Sequence, residues 1–210
     1  YKSSSVKVRF RLRADSDTTV GDGWYIDDVE IKEKDTATLP LPFTDNFENG
    51  LGNWIVSGRD WAIISSDSRS ASHSITDSPS GNYLPNAEAV MILKNPIDLS
   101  NTMAPGLTYW HKIDVPESGD HGYVEVSKDG GTTWTTVKDY YSTTISTWRF
   151  VQIDLSSYKS SSVKVRFRLR ADSDATVGDG WYIDDVEIKD YPTAPPSPTG
   201  VAATPGNGKA

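Results

Sequence analysis

Thirty-two residues of this chain occur twice. The text of residues 1–32 returns as residues 158–189, and the two copies differ at one position, Thr18 against Ala175. Near-identity at a fixed spacing marks a tandem array, and the spacing here is too long for a solenoid, whose periods run about 20–50 residues. Each unit is therefore expected to be a whole domain. On this reading one complete unit occupies residues 36–190. Residues 1–35 are the C-terminal strand pair of a preceding repeat plus a linker, and residues 191–210 are a Pro-rich linker opening onto a further module. A unit of that size can bury a substantial core.

The repeated text carries the clearest strand signal. Val6, Val8, Phe10 and Leu12 alternate with Lys7, Arg9, Arg11 and Arg13, which is period two with one apolar and one cationic face. A Gly-Asp-Gly break follows, and Trp24 begins a second strand that runs to Ile31. Further short runs lie at 43–54, 54–57, 60–65, 89–94, 107–115, 123–127, 134–141 and 148–155, and the repeat recurs at 163–170 and 181–189. The polar stretch 66–85 reads as a long surface loop with a short strand near 72–76. Roughly ten strands at short spacing predict an all-β, two-sheet antiparallel sandwich.

Charge and composition narrow the function. Lys plus Arg number 21 against 29 Asp plus Glu, a formal charge of −8, and an acidic chain lacks the basic face that nucleic acid requires. No apolar run is long enough to insert this segment in a membrane. Cysteine is absent, which excludes disulfides, zinc–thiolate sites and cysteine nucleophiles. No His-Glu-x-x-His, Gly-x-Ser-x-Gly or phosphate loop occurs, so the chain is read as a non-enzyme. Ser127-Lys-Asp-Gly-Gly-Thr-Thr-Trp134 has the form of an Asp-box. A single copy reads best as a turn, with Asp129 binding local amides and Trp134 packed beneath.

Several segments come in a telling order: Phe47-Glu48-Asn49-Gly50, the Val124–Trp134 hairpin, Asp154-Leu-Ser-Ser-Tyr158, an Arg-rich strand, and Gly180-Trp-Tyr-Ile-Asp-Asp-Val-Glu-Ile188. The set resembles the MAM-like, galactose-binding-like jelly-roll modules of secreted microbial proteins, which accompany immune inhibitor A-type proteases and form cleaved-adhesin domains. The resemblance covers 43–189. Residues 198–210 resemble the start of a fibronectin type III domain. The resemblance implies an extracellular or cell-surface jelly roll whose partners are glycans, other surface proteins or neighbouring copies of itself.

Alternation along the last strand places Asp184 with Tyr182, Val186 and Ile188, toward the expected core. A buried carboxylate must be paired or bound to a cation. The resemblance implies a structural calcium ion between the first and last strands, carried over to Glu48 and Asp184, with Asp45 and Asp185 as further candidates. The alternative is an ion pair from Asp184 to Arg166, Arg168 or Arg170. A second cation position is considered at Asp114 and Asp120, near His111 and His121. The functional expectation is a non-catalytic structural or adhesive module of a tandem-repeat surface or filament protein. The alternatives are a carbohydrate-binding module, with Trp61, Trp110 or Trp148 stacking on a sugar, and an accessory domain of an extracellular protease. Because two copies of the terminal pair are present, either could fill one slot. The other, through Val6, Val8, Phe10, Leu12, Trp24 and Ile26, could complete a neighbouring molecule by strand exchange.

Overall fold

The computed structural model describes residues 7–19, 21–27, 29, 37–58 and 61–191, and divides the chain into two units, Tyr1–Asp35 and Thr36–Ala210. The described residues of the second unit form eleven strands: β1 (Phe43–Asp45), β2 (Trp54–Gly58), β3 (Ala62–Ile64), β4 (Ser74–Thr76), β5 (Glu88–Leu93), β6 (Pro105–Val115), β7 (His121–Ser127), β8 (Thr135–Tyr140), β9 (Thr143–Asp154), β10 (Lys164–Arg170) and β11 (Gly180–Asp190). They form two antiparallel sheets. The first runs β3-β4-β11-β6-β9 with β1 also on β11, and the second runs β2-β5-β10-β7-β8. This is the jelly-roll sandwich expected from the alternating pattern.

The core lies between the sheets and is largely aromatic. Trp181, Tyr109 and His111 come from the first sheet, and Phe167, Trp54 and Tyr140 from the second. Phe167 meets Trp181 edge-on at 5.6 Å and Tyr109 at 5.2 Å between ring centroids, geometries that add to simple area burial. The polar atoms in this layer are paired: Tyr109 and Tyr140 share a hydroxyl–hydroxyl bond of 2.9 Å, and Trp181 Nε1 donates to His111 Nδ1 at 3.2 Å. His111 thus lies in the sandwich rather than at a cation site.

The second copy of the repeat takes the central position of each sheet. β10 lies between β5 and β7, and β11 lies between β6 on one side and β4 with β1 on the other. Val165, Phe167 and Leu169 are 0% exposed. The first copy differs. Its described residues, 7–19, 21–27 and 29, form no strand, against the two strands expected there. Val8, Phe10, Leu12, Trp24 and Ile26 are exposed by 41–69%, and the Phe10 ring meets that of Trp24 edge-on at 5.9 Å. The physical reason is that two strands without a sheet to join are marginal in water, and the sheets in this chain already hold the second copy. Val6 lies outside the described residues, as does the fibronectin-like tail after Tyr191.

One further expectation is corrected. Stretch 66–85 is not simply a surface loop, because Ser74, Thr76, Asp77 and Ser78 are buried. The polar groups of Ser74, Thr76 and Ser78 are satisfied locally: Ser74 Oγ donates to the Asp67 carbonyl and Ser78 N donates to Thr76 Oγ1, so burial costs them little. The Asp-box turn behaves as expected. Asp129 accepts from the amides of Thr132 and Thr133 and from the Ser127 hydroxyl, which holds its carboxyl well below the usual range.

Burial pushes His111 down from 6.5 to about 4. Between those values the unfolded chain takes up a proton that the folded chain does not. Stability is therefore lost as pH falls from 6.5 to 4, by up to about 3 kcal/mol. Chemical denaturation across that window should show a smaller loss in His111→Gln, which keeps an acceptor for Trp181 and cannot charge. An equal loss in both proteins would assign the acid sensitivity elsewhere.

Candidate functional site

The expected carboxylates converge on one irregularity in β11. The strand is paired along one edge by β4 at Tyr182 and Ile183 and by β1 at Val186 and Ile188. Between these partners the register against β6 shifts, from Asp184 opposite Trp110 to Glu187 opposite Thr108. Asp185 has φ +49°. This is a β-bulge, which places one extra residue in the strand and resets its alternation. Trp181 and Ile183 before the bulge, and Val186 and Ile188 after it, all face the core.

The bulge corrects the orientation expected for Asp184. It stands opposite Trp110, whose neighbours Tyr109 and His111 are the core residues of β6. Asp184 is therefore on the outer face of the first sheet. It is nonetheless 0% exposed, because the 66–73 loop covers it. Its carboxylate accepts from the amides of Arg69 at 2.8 Å, Ser70 at 3.0 Å and Asp185 at 2.7 Å. Desolvation raises its pKa against these three amides, which lower it. The arginine alternative fails for a topological reason. Arg166 and Arg168 lie on the other sheet and pair with Glu125 at 2.7 and 3.0 Å.

Glu48 holds the same loop from the other side. It sits in the turn after β1 rather than on the strand. Its carboxylate accepts from Ser72 N and Oγ, each at 2.9 Å, and from His73 N at 2.6 Å, and it meets His73 Nδ1 at 2.8 Å. The His73 ring first, then the Ser72 amide, hold it at about 2. Asp185 Oδ1 accepts from Ser70 Oγ at 2.6 Å. Asp45 closes the turn from within, accepting from Phe47 N, Asn53 Nδ2 and Trp54 Nε1. Glu48, Asp184 and Asp185 thus share a loop, and N–H and O–H donors occupy their oxygens.

Asp114 and Asp120 are not brought together. Asp114 accepts from Thr144 Oγ1 and Asp179 N. Asp120 is buried, accepts from Tyr83 OH and Asp172 N, and clusters with Glu117 and Asp172. Desolvation and the charges of Asp172, Asp174 and Asp120 push Glu117 up to about 7.

Beside the bulge the outer face opens into a groove of about 720 Å³. One wall is the 44–53 turn with Asp45, Asn46, Asn49 and Asn53; the floor is Trp110, Phe150 and Thr108; the far side is Asp185 and Glu187. Trp110 and Phe150 are cross-strand neighbours with centroids 5.5 Å apart. Phe150 is 53% exposed, and the Arg69 guanidinium lies over Trp110 at 4.1 Å. The aromatic row continues along the same face. Lys112 sits against Tyr182 and Trp148 and pairs with Asp67, and Trp148 Nε1 donates to Asp67 at 3.0 Å. Of the three tryptophans considered for stacking, Trp110 lines the groove, Trp148 is tied to the loop, and Trp61 is buried. Phe150 was missed, although Trp148 and Phe150 alternate with Val151 and Ile153 in the manner of an exposed aromatic pair.

Residues 92–189 match the family profile of Reelin subrepeat B. Bacillopeptidase F of Bacillus subtilis (strain 168) is 30% identical over 172 residues, 78% of this chain, which spans 11% of that protein's length. Two solved structures share the fold. The K1 cleaved adhesin domain of Lys-gingipain from Porphyromonas gingivalis W83 has a TM-score of 0.54 at 19% identity, covering 73% of this chain and all of that one. The K2 cleaved adhesin domain of Lys-gingipain has a TM-score of 0.50 at 18% identity, covering 71% and 99%. The chain has the two-sheet jelly-roll fold of these domains.

Asp184→Ala leaves three amides under the loop without an acceptor and should cost about 3 kcal/mol or more, while Asp184→Asn, which keeps one acceptor oxygen, should cost less. Urea denaturation of both variants measures the difference. Two equal losses would mean that these hydrogen bonds do not hold the loop.

Proposed function

We propose that the chain is a non-catalytic binding module of an extracellular or cell-surface protein, and that the groove beside the β11 bulge takes a neutral glycan. The observation that carries this reading is the Trp110–Phe150 pair set among carboxylate and amide side chains. Sugar rings present apolar C–H faces and hydroxyl edges. A site with an aromatic floor and a few convergent polar groups matches both. Asp45, Asp185 and Glu187 make the groove acidic, which disfavours sulfated and sialylated chains. Calorimetric titration with neutral oligosaccharides should show saturable binding. Trp110→Ala and Phe150→Ala should each weaken it about tenfold, near 1.4 kcal/mol, without lowering the thermal midpoint by more than a few degrees. Unchanged affinity in both variants would remove the groove from the function.

The likeness to Bacillopeptidase F favours a second setting for the same module, as an accessory segment of a longer peptidase. The groove then addresses the enzyme to a glycan-bearing surface. Expression of the full gene product and an assay for peptide-bond hydrolysis decide between the settings.

A structural calcium ion belongs to the same reading. Glu48, Asp184 and Asp185 hold residues 69–73 from two sides, and oxygen ligands of this kind suit calcium. An ion bound there would replace N–H and O–H donors in tying the two ends of the module together and would stabilise it by linkage. Excess calcium should then raise the thermal midpoint over the chelated protein by several degrees, and Glu48→Ala should abolish the rise. An identical midpoint with calcium and with chelator leaves the hydrogen bonds alone to hold the loop.

A further inference from the structure

One slot in the second unit is filled by text that the chain carries twice. β10 and β11 supply the centre of each sheet, and Val165, Phe167, Leu169, Trp181, Ile183 and Ile188 are all 0% exposed there. Their counterparts in the first copy are Val8, Phe10, Leu12, Trp24, Ile26 and Ile31. The most demanding position recurs as well. A Cβ on Gly180 would strike Ser78 and Asp77, and Gly23 stands in its place; Gly180 has φ +82° and Gly23 +97°. The bulge aspartates return as Asp27 and Asp28. The single difference, Thr18 for Ala175, falls where the seated copy is exposed. Every side chain that the slot buries in residues 158–189 is therefore also present in residues 1–32.

The connection permits the exchange. β1 pairs antiparallel with β11, with Phe43 opposite Ile188, so the first copy in that register would set Ile31 opposite Phe43. The two strands would then be neighbours in sequence, joined through residues 32–42, and an antiparallel pair needs only a loop between its strands. That loop is long enough. Leu39 and Leu41 line a cavity of about 370 Å³ together with Asp190, and Glu33 holds the place of Asp190 in the first copy. The stretch from Glu33 to Leu39 reaches about 20 Å when extended, more than the width of such a cavity. What separates the two occupants is their flanks. Asp190 accepts from the amides of Met103 at 2.9 Å and Ala104 at 2.6 Å, and Tyr191 N donates to the Ala104 carbonyl at 2.9 Å. Glu33 and Lys34 stand at these places in the first copy, so the flanks favour the second copy, the one seated in the structure.

We infer that the slot between β5 and β7 in one sheet, and between β6 and the β4–β1 edge in the other, is a binding site for residues 1–32 of the same chain. When the second copy is withdrawn, the first takes its place and closes a circularly permuted module within residues 1–157. A strand pair tethered by a short linker acts at about millimolar effective concentration, so at micromolar protein it enters its own slot ahead of another molecule's. The site is independent of the groove at Trp110.

The test places one charge in each copy of the full chain. An aspartate at Phe167 would be a buried, unpaired carboxylate and expels the second copy from the slot; Phe10→Asp disables the first copy in the same way. Urea denaturation is followed by tryptophan fluorescence. Phe10→Asp should unfold like the parent chain. Phe167→Asp should keep a cooperative transition at a lower midpoint, and the double variant should lose the transition. Light scattering should show Phe167→Asp as a monomer. A Phe167→Asp chain no more stable than the double variant would overturn the proposal, because the first copy then rescues nothing. A dimer or larger species of Phe167→Asp would also overturn it, by giving the slot to a second chain.

Discussion

The module depends on a change of partner along one strand. β11 needs hydrogen bonds on both edges, because it lies in the middle of its sheet. On one edge β6 runs its full length. On the other, β4 serves the first half and β1 the second. The seam between β4 and β1 falls where the backbone bulges at Asp184 and Asp185. Unpaired strand-edge groups cost free energy when buried, so the seam has to be covered. The 66–73 loop covers it, held by Asp184 and Asp185 from the strand and by Glu48 from the turn beyond β1. The same bulge returns Val186 and Ile188 to the core after the reset. One irregularity therefore joins the two ends of the module, fixes the loop and sets one side of the groove.

The two sheets treat their outer faces differently. On the second sheet, Glu125 is buried beneath Arg166 and Arg168, and those guanidinium groups lie over Trp134 and Tyr123 at 4.4 and 4.5 Å. Each charge is paired and each ring has a cation on its face, so that face is closed by its own side chains. The first sheet is closed only in part. Lys112, Asp67 and Trp148 form a comparable cluster next to the loop, but the row ends with Phe150 exposed and the 44–53 turn standing off the sheet. The opening lies where the self-pairing stops.

Much of the architecture was legible because period-two alternation reports a half-buried strand directly. β6, β7, β8 and β10 fall close to where alternation put them, and Trp110 was recognisable as an aromatic that could face a ligand. The failures share a cause. Alternation counts residues, and a bulge adds one, so consecutive aspartates at 184 and 185 gave a coherent but inverted face. Polarity marks exposure only when no protein partner is available, so Asp77 and Ser78 read as surface loop while lying buried beside β4. Asn46, Asn49 and Asn53 carry ordinary turn chemistry, and only the fold shows that their turn overhangs an aromatic floor.

The position of the repeated strand pair bears on the order in which the module can form. β10 and β11 are the last of the described strands and the middle strands of the two sheets. As a ribosome releases the chain, β6 can meet β9, β7 can meet β8 and β3 can meet β4, but neither sheet has a centre until the final strands emerge. The contacts that close the sandwich are therefore among the longest in sequence, a topology associated with slow folding. Each sheet therefore waits, half-paired, for the last thirty or so residues of the module.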